Sequence, residues 1–116
     1  AIENPYVSVI SHPSGRMLNE RDPADPDWTK IFSAARDNNV LLEINSQPSR
    51  LDLPDDLIKM AIDWGVDLII NSDAHSISDL NFMKYGIYMA RRGWAEKINI
   101  VNSLKYDEFV KKIKLM

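Results

Sequence analysis

The sequence predicts an α/β fold: an open parallel sheet of three to four strands with flanking helices, or part of a larger (β/α) barrel. Short apolar runs rich in Val, Ile and Leu, namely Val7-Ser8-Val9-Ile10-Ser11, Val40-Leu41-Leu42-Glu43-Ile44 and Asp67-Leu68-Ile69-Ile70-Asn71, read as buried strands. Each delivers polar residues near its carboxyl end: His12, Asn45 and, just past Ser72, Asp73-Ala74-His75. His12, Glu43 and Asp73 lie 31 and 30 positions apart, about the length of one strand-helix unit. Right-handed crossovers then make the strands parallel and gather those ends on one rim, where ligands bind in α/β architecture. Three or four units are too few to close an eight-stranded barrel, and an open sheet edge invites a partner or a second copy of the chain.

Ala1-Ile2-Glu3-Asn4-Pro5 forms no obvious element, and the first strand is expected from Tyr6 to Ser11. The polar stretch from Pro13 to Asp27 predicts a long loop with a turn around Met17-Leu18-Asn19; long loops in compact domains often carry function. Trp28, Ile31, Phe32 and Ala35 repeat at helical spacing, with Asp25 or Asp27 available as a cap and Asn38-Asn39 closing the segment. Val40 to Ile44 is the second strand, followed by the loop Asn45 to Arg50. Pro54, Asp55 and Asp56 suit a helix first turn, Leu57, Ile58, Ala61 and Ile62 supply its apolar stripe, and Gly65 stops it.

The third strand, Asp67 to Asn71, follows at once. A helix is expected from Ser78 to Arg92, with Leu80, Met83, Ile87 and Ala90 on one side and Gly93 at its end. Ile98-Asn99-Ile100-Val101 predicts a short strand or extended segment. The final helix, Tyr106 to Leu115, sets Phe109, Val110 and Ile113 against the body while Lys105, Lys111, Lys112 and Lys114 face water. Trp28, Trp64 and Trp94 are expected to pack helices, since nothing marks them as a platform for stacking bases.

A chain of 116 residues holds one small domain, and 45% apolar with 27% charged residues fits a folded core rather than disorder. No apolar run is long enough to cross a bilayer and no secretory leader pattern is present, so a cytoplasmic location without membrane contact is expected. Cysteine is absent, which excludes disulfides, thiol catalysis and zinc-thiolate sites. A metal would have to be met by His, Asp, Glu or solvent, which favours zinc, manganese, iron or magnesium. The formal charge of -3 argues against a strong general nucleic-acid binder, although metal or local arginines can still bring in such a substrate.

Asp73 and His75 share a side of an extended chain and suit a metal or phosphate site; the alternative has Asp73 capping the next turn and His75 bonded to backbone. His12 has the same two readings, and in His12-Pro13-Ser14-Gly15-Arg16 the proline fixes the strand exit while the glycine relaxes the backbone. Glu43 interrupts a run that should be buried, so it needs a cation, an arginine or several donors. It reads as a metal ligand, a general base, a carboxylate orienting an imidazole or water, or half of an ion pair with Arg50 or Arg16.

Arg16 and Arg50 follow the first two strand ends and are the better phosphate-facing candidates, whereas helix-dipole compensation alone accounts for Arg91 and Arg92. There is no phosphate-binding glycine loop, dinucleotide fingerprint or Gly-x-Ser-x-Gly elbow, and without an elbow Ser72, His75 and Asp79 make no case for a triad. Metal-assisted hydrolysis uses the residues present with the fewest added assumptions.

Taken together, His12-Pro13-Ser14-Gly15-Arg16, Leu42-Glu43-Ile44-Asn45, Pro48-Ser49-Arg50-Leu51-Asp52-Leu53, Ser72-Asp73-Ala74-His75 and Ala90-Arg91-Arg92-Gly93-Trp94 resemble the polymerase and histidinol phosphatase (PHP) superfamily. In particular they resemble the PHP domain at the carboxyl end of bacterial and archaeal family X DNA polymerases, over about Tyr6 to Leu115. The resemblance implies the second half of a distorted seven-stranded (β/α) barrel that holds divalent ions at its strand ends and hydrolyses phosphoesters. The early His-x-His motif, the following histidine region and an acidic ligand of the first half are missing, so residues 1–116 are expected to be the carboxyl-terminal portion of such a domain.

By resemblance His12, Asp73 and His75 would bind metal, Mn2+ or Zn2+ in a partial site, with Asp73, Glu43, Arg16 and Arg50 serving the reaction. The implied activity is DNA phosphodiester hydrolysis, as a 3'-5' exonuclease or in DNA-end processing, by the intact parent. Its partners would be DNA, the remaining half of the PHP domain and a polymerase domain, with self-association through the sheet edge a further expectation. A small-molecule phosphomonoesterase of the histidinol phosphatase type and a non-catalytic structural or partner-binding module stand as alternatives.

Overall fold

The computed structural model describes residues 1–113. Strands β1 (Val9–Ile10), β2 (Leu41–Asn45) and β3 (Leu68–Asn71) form a parallel sheet in the order β1-β2-β3, left open rather than closed into a barrel. Helices α1 (Trp28–Asp37) and α2 (Asp55–Asp63) make the crossovers, and α3 (Met83–Arg92) and α4 (Tyr106–Lys112) follow β3. The register pairs Val9 with Leu41, Ile10 with Leu42, Glu43 with Ile69 and Asn45 with Asn71, so the three carboxyl ends do share one rim.

Every residue of β2 is buried because the sheet is covered on both faces. Leu42, Ile44, Leu68 and Ile70 pack against Phe32, Ala35, Ile58, Ala61 and Ala90 of α1, α2 and α3. On the opposite face Leu41 and Ile69 pack with Val101, backed by Val9, Leu104, Phe109 and Ile113, so α4 covers the end of that face remote from the rim. Double coverage explains why the strands read as nearly continuous apolar runs.

Local chemistry fixes the helix starts. Asp27 caps α1, accepting from the Lys30 N–H at 3.3 Å and the Thr29 hydroxyl at 2.6 Å; the Thr29 bond first, then the backbone bond, holds its carboxyl below the usual range. Pro54 precedes α2, whose first turn carries Asp55 and Asp56. Helix α3 lies very close to the sheet at Gly86, where a Cβ would stand 2.1 Å from Ser46 Oγ and 2.6 Å from Ile70 Cγ2. Its carboxyl end meets α2, with Arg92 Nη2 2.9 Å from Asp55 Oδ2.

Several expected elements are shorter or different. The first strand is only Val9–Ile10, because the backbone turns at His12, with φ +29°, and sends its N–H to the Glu43 side chain instead of the ladder. The expected helix from Ser78 to Arg92 is a 3₁₀ helix over Ile77–Phe82 and then α3, the tight start being held by an Asp79 carboxylate that accepts the His75 N–H. Ile98 to Val101 is not a strand: 3₁₀ turns at Lys97–Asn99 and Val101–Ser103 flank Ile100, which makes a lone bridge to Leu68. The Asn102 side chain serves the outer edge of β3 in its place, accepting the Ile70 N–H and donating to the Ile70 carbonyl, both at 2.8 Å.

Helix α4 ends at Lys112, and Lys114 and Leu115 of the expected helix lie outside the described residues. Trp28 stacks on Phe32 and Trp64 packs beneath the Arg36 guanidinium, as expected. Trp94 does not pack a helix; its backbone is left-handed, φ +66°, just past α3, and the ring is exposed.

Candidate functional site at the carboxyl rim of the sheet

Alternation along β2 sends Leu41, Glu43 and Asn45 to one face, where apolar packing gives way to polar groups toward the rim. Glu43, only 6% exposed, is satisfied by three donors rather than an arginine. Its Oε1 accepts the His12 N–H and Asn45 Nδ2, each at 3.0 Å, and Oε2 accepts Asn71 Nδ2 at 2.8 Å. A buried carboxylate with three donors meets the requirement that its burial imposed.

Asn45 is the junction of the site. The same Nδ2 donates to Asp73 Oδ2 at 3.2 Å, and Oδ1 accepts the Gln47 N–H at 3.0 Å. Gln47 Nε2 in turn donates to the Asp73 carbonyl at 3.1 Å, and His75 Nδ1 lies 2.8 Å from that same oxygen. With the proton on Nδ1, the exposed His75 ring keeps Nε2 as its free nitrogen. His12, Glu43, Asn45, Asp73 and His75 thus belong to one connected set drawn from three strand ends.

The two arginines sit beside this set but differ in freedom. Arg16 donates from Nε to the Arg50 carbonyl at 2.9 Å and from Nη2 to the Leu51 carbonyl, so much of its guanidinium ties two loops together. Among the described residues the Arg50 guanidinium makes only a long 3.5 Å contact, from Nη1 to the Arg16 carbonyl, and is the freer cation. Arg92 is engaged with Asp55 at the start of α2.

Asp52 was not singled out by its sequence position, yet it is fully buried and accepts the Ser14 N–H at 3.1 Å and the Gly15 N–H at 2.9 Å. A carboxylate between Leu51 and Leu53 is the same signal that marks Glu43, a charge inside an apolar run, and was open to the same reading. Three non-glycine residues around this rim, His12, Leu51 and Asp73, adopt left-handed φ values of +29°, +45° and +53°. Such backbone costs about 1–2 kcal/mol per residue, so the surrounding hydrogen bonds must hold it.

Imidazole nitrogen and carboxylate oxygen are suitable donors for zinc or manganese. Among the described residues, however, no three His, Asp or Glu side chains gather closely enough to hold one ion. The donors have the right chemistry and fall short in number.

No protein-family model matches the chain. It is 41% identical over 103 residues, 89% of its length, to the DNA polymerase/3'-5' exonuclease PolX of Bacillus subtilis (strain 168), of which it spans 18%. It is 32% identical over 81 residues to a probable phosphatase of Clostridium novyi (strain NT), spanning 30% of that protein. A probable phosphatase of Thermoanaerobacter sp. (strain X514) is 28% identical over an alignment covering 98% of this chain and 47% of the relative. The open parallel α/β layer with His and Asp at its strand ends matches a partial (β/α) barrel. The chain belongs to the PHP superfamily of phosphoesterase domains.

Proposed function

We propose that residues 1–116 are the carboxyl-terminal portion of a PHP metallo-phosphoesterase domain whose intact parent hydrolyses DNA phosphodiesters, as a 3'-5' exonuclease or in DNA-end processing. The observation that carries this reading is the connected set at one rim, His12 through Glu43 and Asn45 to Asp73 and His75. Similarity to a polymerase with 3'-5' exonuclease in its name supplies DNA as the substrate class. The partners are then DNA, the rest of the PHP domain and a polymerase domain. No described helix is long and apolar enough to cross a membrane.

In this reading His12, Asp73 and His75 hold Mn2+ or Zn2+ together with ligands from the rest of the parent. A divalent ion in such a centre supplies Lewis acidity and lowers the pKa of water. This chain's own residues supply position. Asn45 fixes the Asp73 carboxylate, the Asp73 carbonyl orients the His75 ring, and Glu43 anchors the His12 backbone. Arg50 offers free guanidinium donors to a phosphate, and Arg16 sets the loop that carries it.

A small-molecule phosphomonoesterase is the second reading, favoured by alignment of nearly the whole chain with a probable phosphatase. The incomplete ligand set favours a non-catalytic module for this segment taken alone. Metal content and hydrolysis, measured for the 116-residue chain and its intact parent on 3'-ended DNA and a small phosphate monoester, separate the three. The expected result is Mn2+-dependent shortening of DNA by the parent and little or none by the chain. Cleavage of the monoester alone selects the second reading, and a metal-free, inert parent selects the third.

A further inference from the structure

We propose that Asp52 is the positioning residue of this rim, a buried carboxylate that sets where His12 stands relative to Asp73. The inference rests on the reading of His12 and Asp73 as partners in one site, and it adds a residue that neither strand pattern nor similarity assigns.

The geometry has two halves. Through its backbone Asp52 is paired antiparallel with Asn45: the Asn45 N–H donates to the Asp52 carbonyl, and the Asp52 N–H donates to the Asn45 carbonyl at 3.2 Å. Asn45 is the residue that holds both Glu43 and Asp73. Through its side chain Asp52 receives the Ser14 and Gly15 N–H groups, one on each carboxylate oxygen, within the turn closed by the Gly15 N–H on the His12 carbonyl at 2.9 Å. One residue therefore fastens the loop after β1 to the hub at the end of β2.

A carboxylate suits this position better than any neutral side chain of its size. Both oxygens accept, they face two successive N–H groups, and the bonds are strengthened by the charge. Asparagine keeps the shape but turns one acceptor into a donor facing an N–H. Water is kept from the Ser14 N–H, because Asp52 and Ser14 are both buried. The left-handed backbone at His12 and Gly15, φ +29° and +69°, is held by these bonds. The stitches between Arg16 and the Arg50 and Leu51 carbonyls, and between the Leu18 N–H and the Ser49 carbonyl at 2.7 Å, follow from the same docking of one loop on the other.

The test exploits the presence of only two histidines in the chain. Ring resonances of His12 and His75 and amide exchange at Ser14 and Gly15 are recorded by NMR for the wild-type chain, Asp52→Asn and Gly15→Ala, without metal. In Asp52→Asn the two amides are expected to exchange at least tenfold faster and the His12 ring signal to shift while that of His75 stays in place. Gly15→Ala leaves Asp52 intact, and with nothing within 4 Å of the new Cβ it disturbs only the turn. It should move the same signals, and it decides the matter if Asp52→Asn does not fold. Unchanged amides and an unmoved His12 ring, or equal movement of both rings, overturn the proposal. Mn2+ is then added: broadening of the wild-type His12 ring that weakens at least tenfold in apparent affinity in the variants supports it further. No broadening in the wild type counts against the metal reading alone and leaves the metal-free result to judge Asp52.

Discussion

At the scale of single residues, the rim works by sharing a few donors among its carboxylates. Asn45 donates from one nitrogen to two carboxylates, Glu43 and Asp73, and so holds like charges apart at a defined spacing. Asn45→Asp replaces that shared donor with a third carboxylate among them, 1% exposed at the wild-type residue. The expected loss is about 1–3 kcal/mol of folding stability at neutral pH, read by urea unfolding. Asp73→Ala in the intact parent is expected to lower Mn2+ occupancy and hydrolysis together; unchanged values of both would remove Asp73 from the site. The rim's residue types were legible before its contacts were. Glu43 declared itself as a charge in a buried run, and the structure chose several donors over an arginine. Asp52, a charge of the same kind, became visible as a rim residue only when folding brought it against Ser14 and Gly15, 38 and 37 positions away.

At the scale of elements, α3 is fixed by close approach and by charge. Gly86 allows its backbone close to Ser46 and Ile70, so Gly86→Ala drives the new methyl into those two side chains and something must shift, with an expected cost of about 1–3 kcal/mol in thermal or urea unfolding. At the other end of α3, Arg92 holds the Asp55 carboxyl at α2 below its usual range, the side-chain hydrogen bond being the largest cause, opposed by partial burial. A lowered folded pKa gives stability that is present above the unfolded value and is lost as pH falls through the folded one. The chain should therefore lose an α2-to-α3 brace below about pH 4. Arg92→Gln should flatten that part of the stability profile, and because both groups are partly exposed the difference should be small and fade at high salt. Periodicity located α1, α2 and β2 to within a few residues because the two helices carry clear apolar stripes and β2 a continuous buried run. It overextended β1 and the start of α3, where Glu43 and Asp79 take the backbone N–H groups of His12 and His75.

At the scale of the whole molecule, β2 is the spine: it pairs on both sides and is buried on both faces. Leu42, fully buried among α1, α2 and α3, is the position where truncation should be felt most widely. Leu42→Ala is expected to cost about 2–5 kcal/mol, a large share of the roughly 5–15 kcal/mol that a small domain possesses, and urea denaturation would report it as a lowered midpoint. By itself the sequence determined the parallel α/β class, the order of its main elements, the gathering of His12, Glu43 and Asp73 on one rim, and membership of the PHP superfamily. The first three follow from short-range period and from the right-handed crossover, which leave few topologies open, whereas the superfamily is carried by the resemblance of the motifs and the similarity to known proteins. Only the tertiary structure decided which groups meet: Glu43 with three donors, Asn45 between two carboxylates, Asn102 on the edge of β3, and Asp52 beneath the loop after His12. Hydrogen-bond partners are chosen by distances between atoms far apart in the chain, and no periodicity of neighbours encodes those distances.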